Sequence, residues 1–119
     1  MEKYYRSLYS EIINSKVVES NNLKKFIFSS IAHLIIIFYI GFKYKVTHEE
    51  LCNEISSKIV SRSTIQNILK TGVQLGFFEK ELNPNDRRAK YYKFTRTSKE
   101  LMENFLKEKK KFNLQDKVA

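Results

Sequence analysis

The sequence is poor in the residues that build turns, staples and metal cages. Its 119 residues include three Gly and one Pro. That is too few for a linker-rich or collagen-like chain, and too few for the many turns of an all-β fold. A single cysteine, Cys52, excludes a disulfide framework and a cysteine-based zinc site. Two histidines, His33 and His48, leave too few ligands for most catalytic metal sites. No nucleophile beside a base, no glycine-rich phosphate loop and no ligand cluster is legible, so neither an enzyme nor a cofactor is expected. Acidic side chains are also scarce, with 13 Asp and Glu against 22 Lys and Arg and a formal net charge of +9.

What is present fits one globular domain: 42% hydrophobic and 29% charged residues, in a length able to bury a core without staples. The positive excess is not evenly spread. Residues 1–56 hold seven basic and six acidic side chains, residues 57–97 nine and three, and residues 98–119 six and four. A Lys-rich solvated surface is the plain reading of such charge. Its concentration in one 41-residue stretch points instead to a polyanionic partner.

One run tests the expectation of a chain outside the membrane. Residues 26–42 read FIFSSIAHLIIIFYIGF, without a formal charge. As a helix the run would rise about 25 Å, short of a bilayer core of about 30 Å. It contains Ser29, Ser30 and His33, and no basic segment with a small-residue cleavage site precedes it. A buried core helix is expected, with His33 bonded or partly exposed in it rather than serving as a ligand.

The apolar spacing predicts a first amphipathic helix over 2–18, carrying Tyr5, Leu8, Tyr9, Ile12 and Ile13. Ser20-Asn21-Asn22 breaks it. A second helix is expected over 23–39, ended by Gly41. Thr47 with Glu50 forms a capping box for a third helix over 48–55. After a turn at 56–60, a fourth helix starts near Ser61 or Ser63, turns Ile65, Ile68, Leu69 and Val73 inward, and closes at Gly76. Strands follow at 77–82 and 90–95 around the turn residues Asn83-Pro84-Asn85-Asp86. Thr97-Ser98-Lys99-Glu100 reads as a second capping box, opening a last helix with Leu101, Met102, Phe105, Leu106 and Phe112 along its apolar stripe. The Lys-rich 107–111 run reads as a solvated helix end.

A helix-turn-helix followed directly by a basic hairpin is a winged helix. The fold class expected is mainly α with a small β-hairpin, a winged helix-turn-helix with flanking N- and C-terminal helices. Within a single 1–119 domain, residues 1–22 form a dimerisation helix, 23–97 the core, and 98–119 the terminal helix and tail. The second helix of the turn motif suits the major groove, where base edges present a unique pattern, and a hairpin arginine suits flanking phosphates or a narrow minor groove.

The run from Ser63-Thr64-Ile65-Gln66-Asn67-Ile68-Leu69-Lys70 to Gly76-Phe77-Phe78 resembles the recognition helix of MarR-type (multiple antibiotic resistance) regulators. Asp86-Arg87-Arg88-Ala89-Lys90 through Phe94-Thr95 and Leu101 resembles their wing and following helix. The resemblance spans residues 47–105. It implies a cytoplasmic, nucleoid-associated homodimer that regulates transcription on double-stranded DNA at a palindromic operator, often with a small-molecule effector or redox input. Gly72 stands where that family usually has a large apolar residue, so a close packing contact or a bend is expected there. About 20 residues follow Thr97, where the family usually adds long dimerisation helices.

The site residues follow from these roles. Gln66 and Asn67, in the first turns of the fourth helix, each suit bidentate readout of adenine. Arg62, Ser63 and Thr64 at the helix start suit a phosphate or base edge. Lys70, one turn beyond Gln66, suits phosphate, and Arg87, Arg88 and Lys90 lie on the wing. Asp86 is the wing-orienting residue that the resemblance implies. Tyr5, Leu8, Tyr9 and Ile12 with Leu101 and Phe105 are expected at the dimer interface, since their stripes flank the core and have no other evident partner. A solvated helix face and a solvated turn are the plain alternatives for the α-helical and wing residues. Cys52 reads as a small buried apolar residue. A second use of the same fold, as a protein-interaction or replication-initiation module, stays open beside DNA reading.

Overall fold

The computed structural model describes residues 2–17 and 22–118, the side chains of 11–17 and 108–118 excepted. The chain runs α1 Glu2–Val17, α2 Asn22–Ile27, α3 Ile31–Lys43, β1 Lys45–Thr47, α4 His48–Glu54, α5 Arg62–Leu75, β2 Phe78–Leu82, β3 Lys90–Phe94 and α6 Arg96–Val118. The break expected at Ser20-Asn21 lies outside the described residues, as do the side chains of Ile12, Ile13 and Phe112 and most of the 107–111 lysine run.

The second helix differs from the sequence reading. It is two helices, parted at residues 28–30, because the Ser30 hydroxyl accepts from the His33 backbone N–H and starts α3 afresh. Gly41 does not end α3. The helix continues to Lys43, and Tyr44 takes the left-handed backbone, φ 79°, while its N–H donates to the Ile40 carbonyl at 2.8 Å. For a bulky residue that conformation is strained. Among the described residues no helix is long and apolar enough to cross a membrane.

The next elements follow from their caps. The Thr47 hydroxyl accepts from the Glu50 N–H at 3.0 Å and opens α4. The Glu50 carboxylate, rather than closing a capping box, accepts from the Tyr39 hydroxyl of α3 at 3.2 Å. Ser61 caps α5, and Gly76, with φ 80°, closes it. The last helix begins two residues earlier than the Thr97 box predicts. Thr95 is its cap, accepting from the Ser98 N–H at 3.2 Å. The fully buried Ser98 donates to the Phe77 carbonyl at 2.6 Å, and the Thr95 hydroxyl donates to the Gly76 carbonyl at 2.7 Å. Two hydroxyls thus strap the start of α6 to the end of α5.

A short strand that the sequence reading lacks, β1, completes the sheet. The order is β1-β3-β2, all antiparallel, with Val46 opposite Tyr92 and Phe78 opposite Phe94. The core joins Ile36, Ile37 and Ile40 of α3, Leu51 of α4, Ile65, Ile68 and Leu69 of α5, and Phe77 and Phe78. Each such side chain stabilises the fold by about 1.5–3 kcal/mol through its burial. Val73, inward by spacing, is half-buried against this core. Gly72 has the close contact that its place inside a helix implies. A Cβ there would stand 2.2 Å from the Phe78 ring and 3.1 Å from that of Phe26.

Candidate nucleic-acid interface

The fourth predicted helix is α5, and its two faces are separated cleanly. Ile65, Ile68, Leu69 and Gly72 are buried; Gln66, Asn67, Lys70, Thr71 and Gln74 are exposed. The separation follows from helical spacing of the apolar residues, which pins one stripe to the core and leaves the other in solvent. At the helix start the Ser61 hydroxyl accepts from the Thr64 N–H at 3.2 Å and lies 2.8 Å from the Thr64 hydroxyl and 3.2 Å from that of Ser63. Ser63 and Thr64 are therefore held by the cap at the end where backbone N–H groups are free to meet an anion.

Arg62 is engaged within the chain. Its guanidinium donates to the Glu49 carboxylate of α4 at 2.8 Å, which holds it firmly charged. This ion pair joins the two helices of the turn motif, and both partners are more than half exposed, so water screens it. A phosphate arriving at the helix start would compete with Glu49 for Arg62.

The hairpin tip is built from side chains that bond their own backbone. The Asn83 side-chain amide oxygen accepts from the Asn85 N–H at 3.0 Å, and the Asp86 carboxylate from the Arg88 N–H at 3.0 Å. Asn and Asp favour turns through such bonds. The resemblance implies that Asp86 orients the wing. The bond observed goes to the backbone of Arg88, and both guanidinium groups stand at exposed positions. Lys90 opens β3 and is half-buried opposite Leu82.

The structure thus gathers Ser63, Thr64, Gln66, Asn67 and Lys70 on one helix, and Arg87, Arg88 and Lys90 on the adjoining hairpin. Sequence reasoning missed Ser30, His33 and Thr71. They share a cleft of about 240 Å³ with Thr64 and Asn67, and the Ser30 hydroxyl lies 2.7 Å from His33 Nδ1. Thr71 was legible by spacing, one turn beyond Asn67; Ser30 and His33 were hidden by reading α2 and α3 as one helix.

The dimerisation stripes are only partly free. Tyr5 and Tyr9 are 65% and 67% exposed, whereas Leu101 packs on the core and the Phe105 ring lies 6.0 Å from that of Phe28. A larger cavity of about 780 Å³ opens between α3, the sheet and α6, lined by Ile37, Ile40, Phe94 and Met102 and by the charged Glu79, Lys93, Arg96, Lys99 and Glu103. Cys52 is half-buried against the core, its sulfur 3.5 Å from His48 Nε2. Among the described residues no group of three or more His, Cys, Asp or Glu is placed to hold a metal ion.

No protein-family model and no curated protein matches the chain. Two solved structures are similar to it. Over 83% of this chain and 70% of the other, a mutant MarR from E. coli superposes with a TM-score of 0.52 at 20% identity. The adhesin competence repressor AdcR from Streptococcus pyogenes superposes over 98% of this chain and 79% of its own, with a TM-score of 0.51 at 15% identity. The element order, the three-stranded antiparallel sheet and these superpositions give one fold, a MarR-type winged helix.

Proposed function

We propose that this chain is a sequence-specific DNA-binding transcriptional regulator and not an enzyme. It works in the cytoplasm on the nucleoid, as a homodimer on a palindromic operator. One observation carries the reading. α5, whose exposed face carries Gln66, Asn67 and Lys70, packs through Gly72 on Phe78 of the hairpin that bears Arg87, Arg88 and Lys90, so a polar helix face and a cationic loop belong to neighbouring elements. Gln66 and Asn67 read base edges, Lys70 meets phosphate, and the wing arginines reach the flank. Ser63 and Thr64 at the capped helix start, and Arg62 once released from Glu49, meet the backbone.

A single recognition helix contacts few base pairs, so specificity calls for two. Exposed Tyr5 and Tyr9 on α1, with Leu8, Ile12 and the Leu101–Phe105 stripe of α6, are the surface for the second copy. Two recognition helices then enter successive major grooves about 34–36 Å apart. The cavity between α3 and α6 is the place for a small-molecule effector, its lining apolar apart from a few charged groups of both signs.

The test is selection of binding sites from a random duplex pool, followed by titration of variants. Gln66→Ala and Asn67→Ala each weaken the selected site by about 1–3 kcal/mol and leave random DNA nearly unchanged. Lys70→Ala weakens both and flattens the salt slope by about one unit for each protomer. Equal losses on both DNAs for Gln66 and Asn67 remove the base-reading role. A chain that stays monomeric with and without the selected duplex in sedimentation removes the dimer.

A further inference from the structure

The hairpin has two unlike faces. Side chains alternate along a strand, so residues two apart share a face. Fully buried Val46 and nearly buried Phe78 mark the inner face, and the register sets Tyr92 opposite both Val46 and Lys80. Lys80 and Leu82 therefore continue the row of Phe78, and Leu82 stands opposite Lys90. The outer face carries Lys45, Lys93 and Glu79 in one cross-strand row, and Thr47, Tyr91 and Glu81 in the next.

On the outer face the charges close on one another. Lys45 Nζ lies 2.9 Å from one Glu81 oxygen, and Lys93 Nζ lies 3.1 Å from the other and 3.8 Å from Glu79. Lys45 also sits 4.6 Å above the Tyr91 ring. Two lysines and two glutamates leave no net charge there. The inner face beyond the core holds no acid, only Lys80, Lys90 and a Leu82 that is 68% exposed. It is also the side of the recognition helix, because β2 is the edge strand and its Phe78 packs on Gly72 of α5.

We propose that the wing meets DNA with this inner face, with Lys80 as a phosphate contact beside Lys90, and that Lys45 and Lys93 take no part in binding. The inference rests on the DNA-binding reading and adds to it a residue and a direction of approach. Charge complementarity decides between the faces. Turning the outer face to the duplex would bring Glu79 and Glu81 against phosphates, whereas the inner face presents cations only.

The experiment is a salt titration of the full chain on a selected duplex and on random duplex, read by fluorescence anisotropy. Lys80→Ala flattens the slope by about two units on both DNAs, one for each protomer of the dimer. The ratio of wild-type to variant affinity then shrinks about tenfold between about 50 and about 200 mM salt. Lys80→Arg keeps the wild-type slope. Lys45→Ala and Lys93→Ala also keep it, and thermal melts of all four confirm the fold. An unchanged slope in Lys80→Ala, with Lys70→Ala or Arg87→Ala still flattening theirs, overturns the inner-face assignment while DNA binding stands. A flattened slope in both Lys45→Ala and Lys93→Ala overturns it as well. Failure of the wild-type chain to bind any duplex overturns the DNA-binding reading itself, and the inference with it.

Discussion

Gly72 of α5 and Phe78 of β2 are packed so closely that a Cβ on Gly72 would stand 2.2 Å from Phe78 Cδ2 and 2.6 Å from Cε2. The missing side chain lets the sheet lie directly on α5. Two effects oppose each other at this position. Alanine would improve helix propensity by about 1 kcal/mol. Forcing a methyl against a buried ring costs about 1–3 kcal/mol. Phe78 is 1% exposed, with Phe77, Phe26 and Phe94 around it, so the ring has little room to yield. Gly72→Ala is therefore expected to lower stability by about 1–2 kcal/mol in denaturant unfolding. In a Phe78→Leu background the same change becomes neutral or stabilising, because the colliding ring is gone.

The Tyr39–Glu50 bond carries a pH signature. Burial of the phenol, then its bond to Glu50, push the Tyr39 hydroxyl up to about 12 from the usual value of 10.0. The folded state thus keeps a proton that the unfolded chain gives up first. Stability from this group is complete below about pH 10 and is lost as pH rises to about 12. Wild-type melting temperature should fall through that window more steeply than that of Tyr39→Phe, measured in parallel to cancel the titration of other tyrosines and lysines. Equal slopes for the two proteins would show that the bond does not couple α3 to α4.

Much of this fold was legible because its signals were local. Ser61, Thr47 and Gly76 act where residues of their kind act, as caps that satisfy free backbone groups. The wing was legible from alternation and from Asn83-Pro84-Asn85-Asp86. The misreadings share a cause, the override of local rules by tertiary contacts. Gly41 looks like a helix stop, but it faces the Phe94 ring, where a Cβ would stand 3.4 Å away, and Tyr44 takes the positive φ instead. β1 is three residues long and exists only because β3 pairs with it, so no run of alternation announces it. The uncharged, mostly apolar 26–42 run hid the Ser30 cap. Thr97-Ser98-Lys99-Glu100 has the capping-box pattern and Thr95 does not, but the carbonyls of Gly76 and Phe77 hold Thr95 and Ser98 and start α6 earlier. In the candidate site, residue types and face were legible on α5. The Glu49–Arg62 pair and the two faces of the hairpin were not, since they depend on which elements become neighbours.

The wing tip gives the last prediction. Asp86 accepts from the Arg88 N–H at 3.0 Å, and the Asp86 N–H in turn donates to the Asn83 carbonyl at 3.2 Å. The carboxylate therefore shapes the backbone that carries both arginines, without neutralising either guanidinium through an ion pair. Removing the acceptor should loosen the tip, at a local cost of about 0.5–1.5 kcal/mol, while the core, which lies beyond the turn, keeps its melting temperature. Asp86→Ala should speed amide exchange at residues 85–89 and weaken binding to the selected duplex. Asp86→Asn retains the acceptor oxygen and should stay near wild type in both measurements, which separates the turn bond from the charge. Arg87 and Arg88 are adjacent and cannot both reach one groove. Of Arg87→Ala and Arg88→Ala, one should erase any preference for A·T-rich over G·C-rich flanks, because a narrow A·T minor groove concentrates negative potential. The other should lower affinity on both flanks alike. If neither changes binding at moderate salt while Gln66→Ala still does, the hairpin is not a DNA contact, and the polar face of α5 reads DNA without a wing.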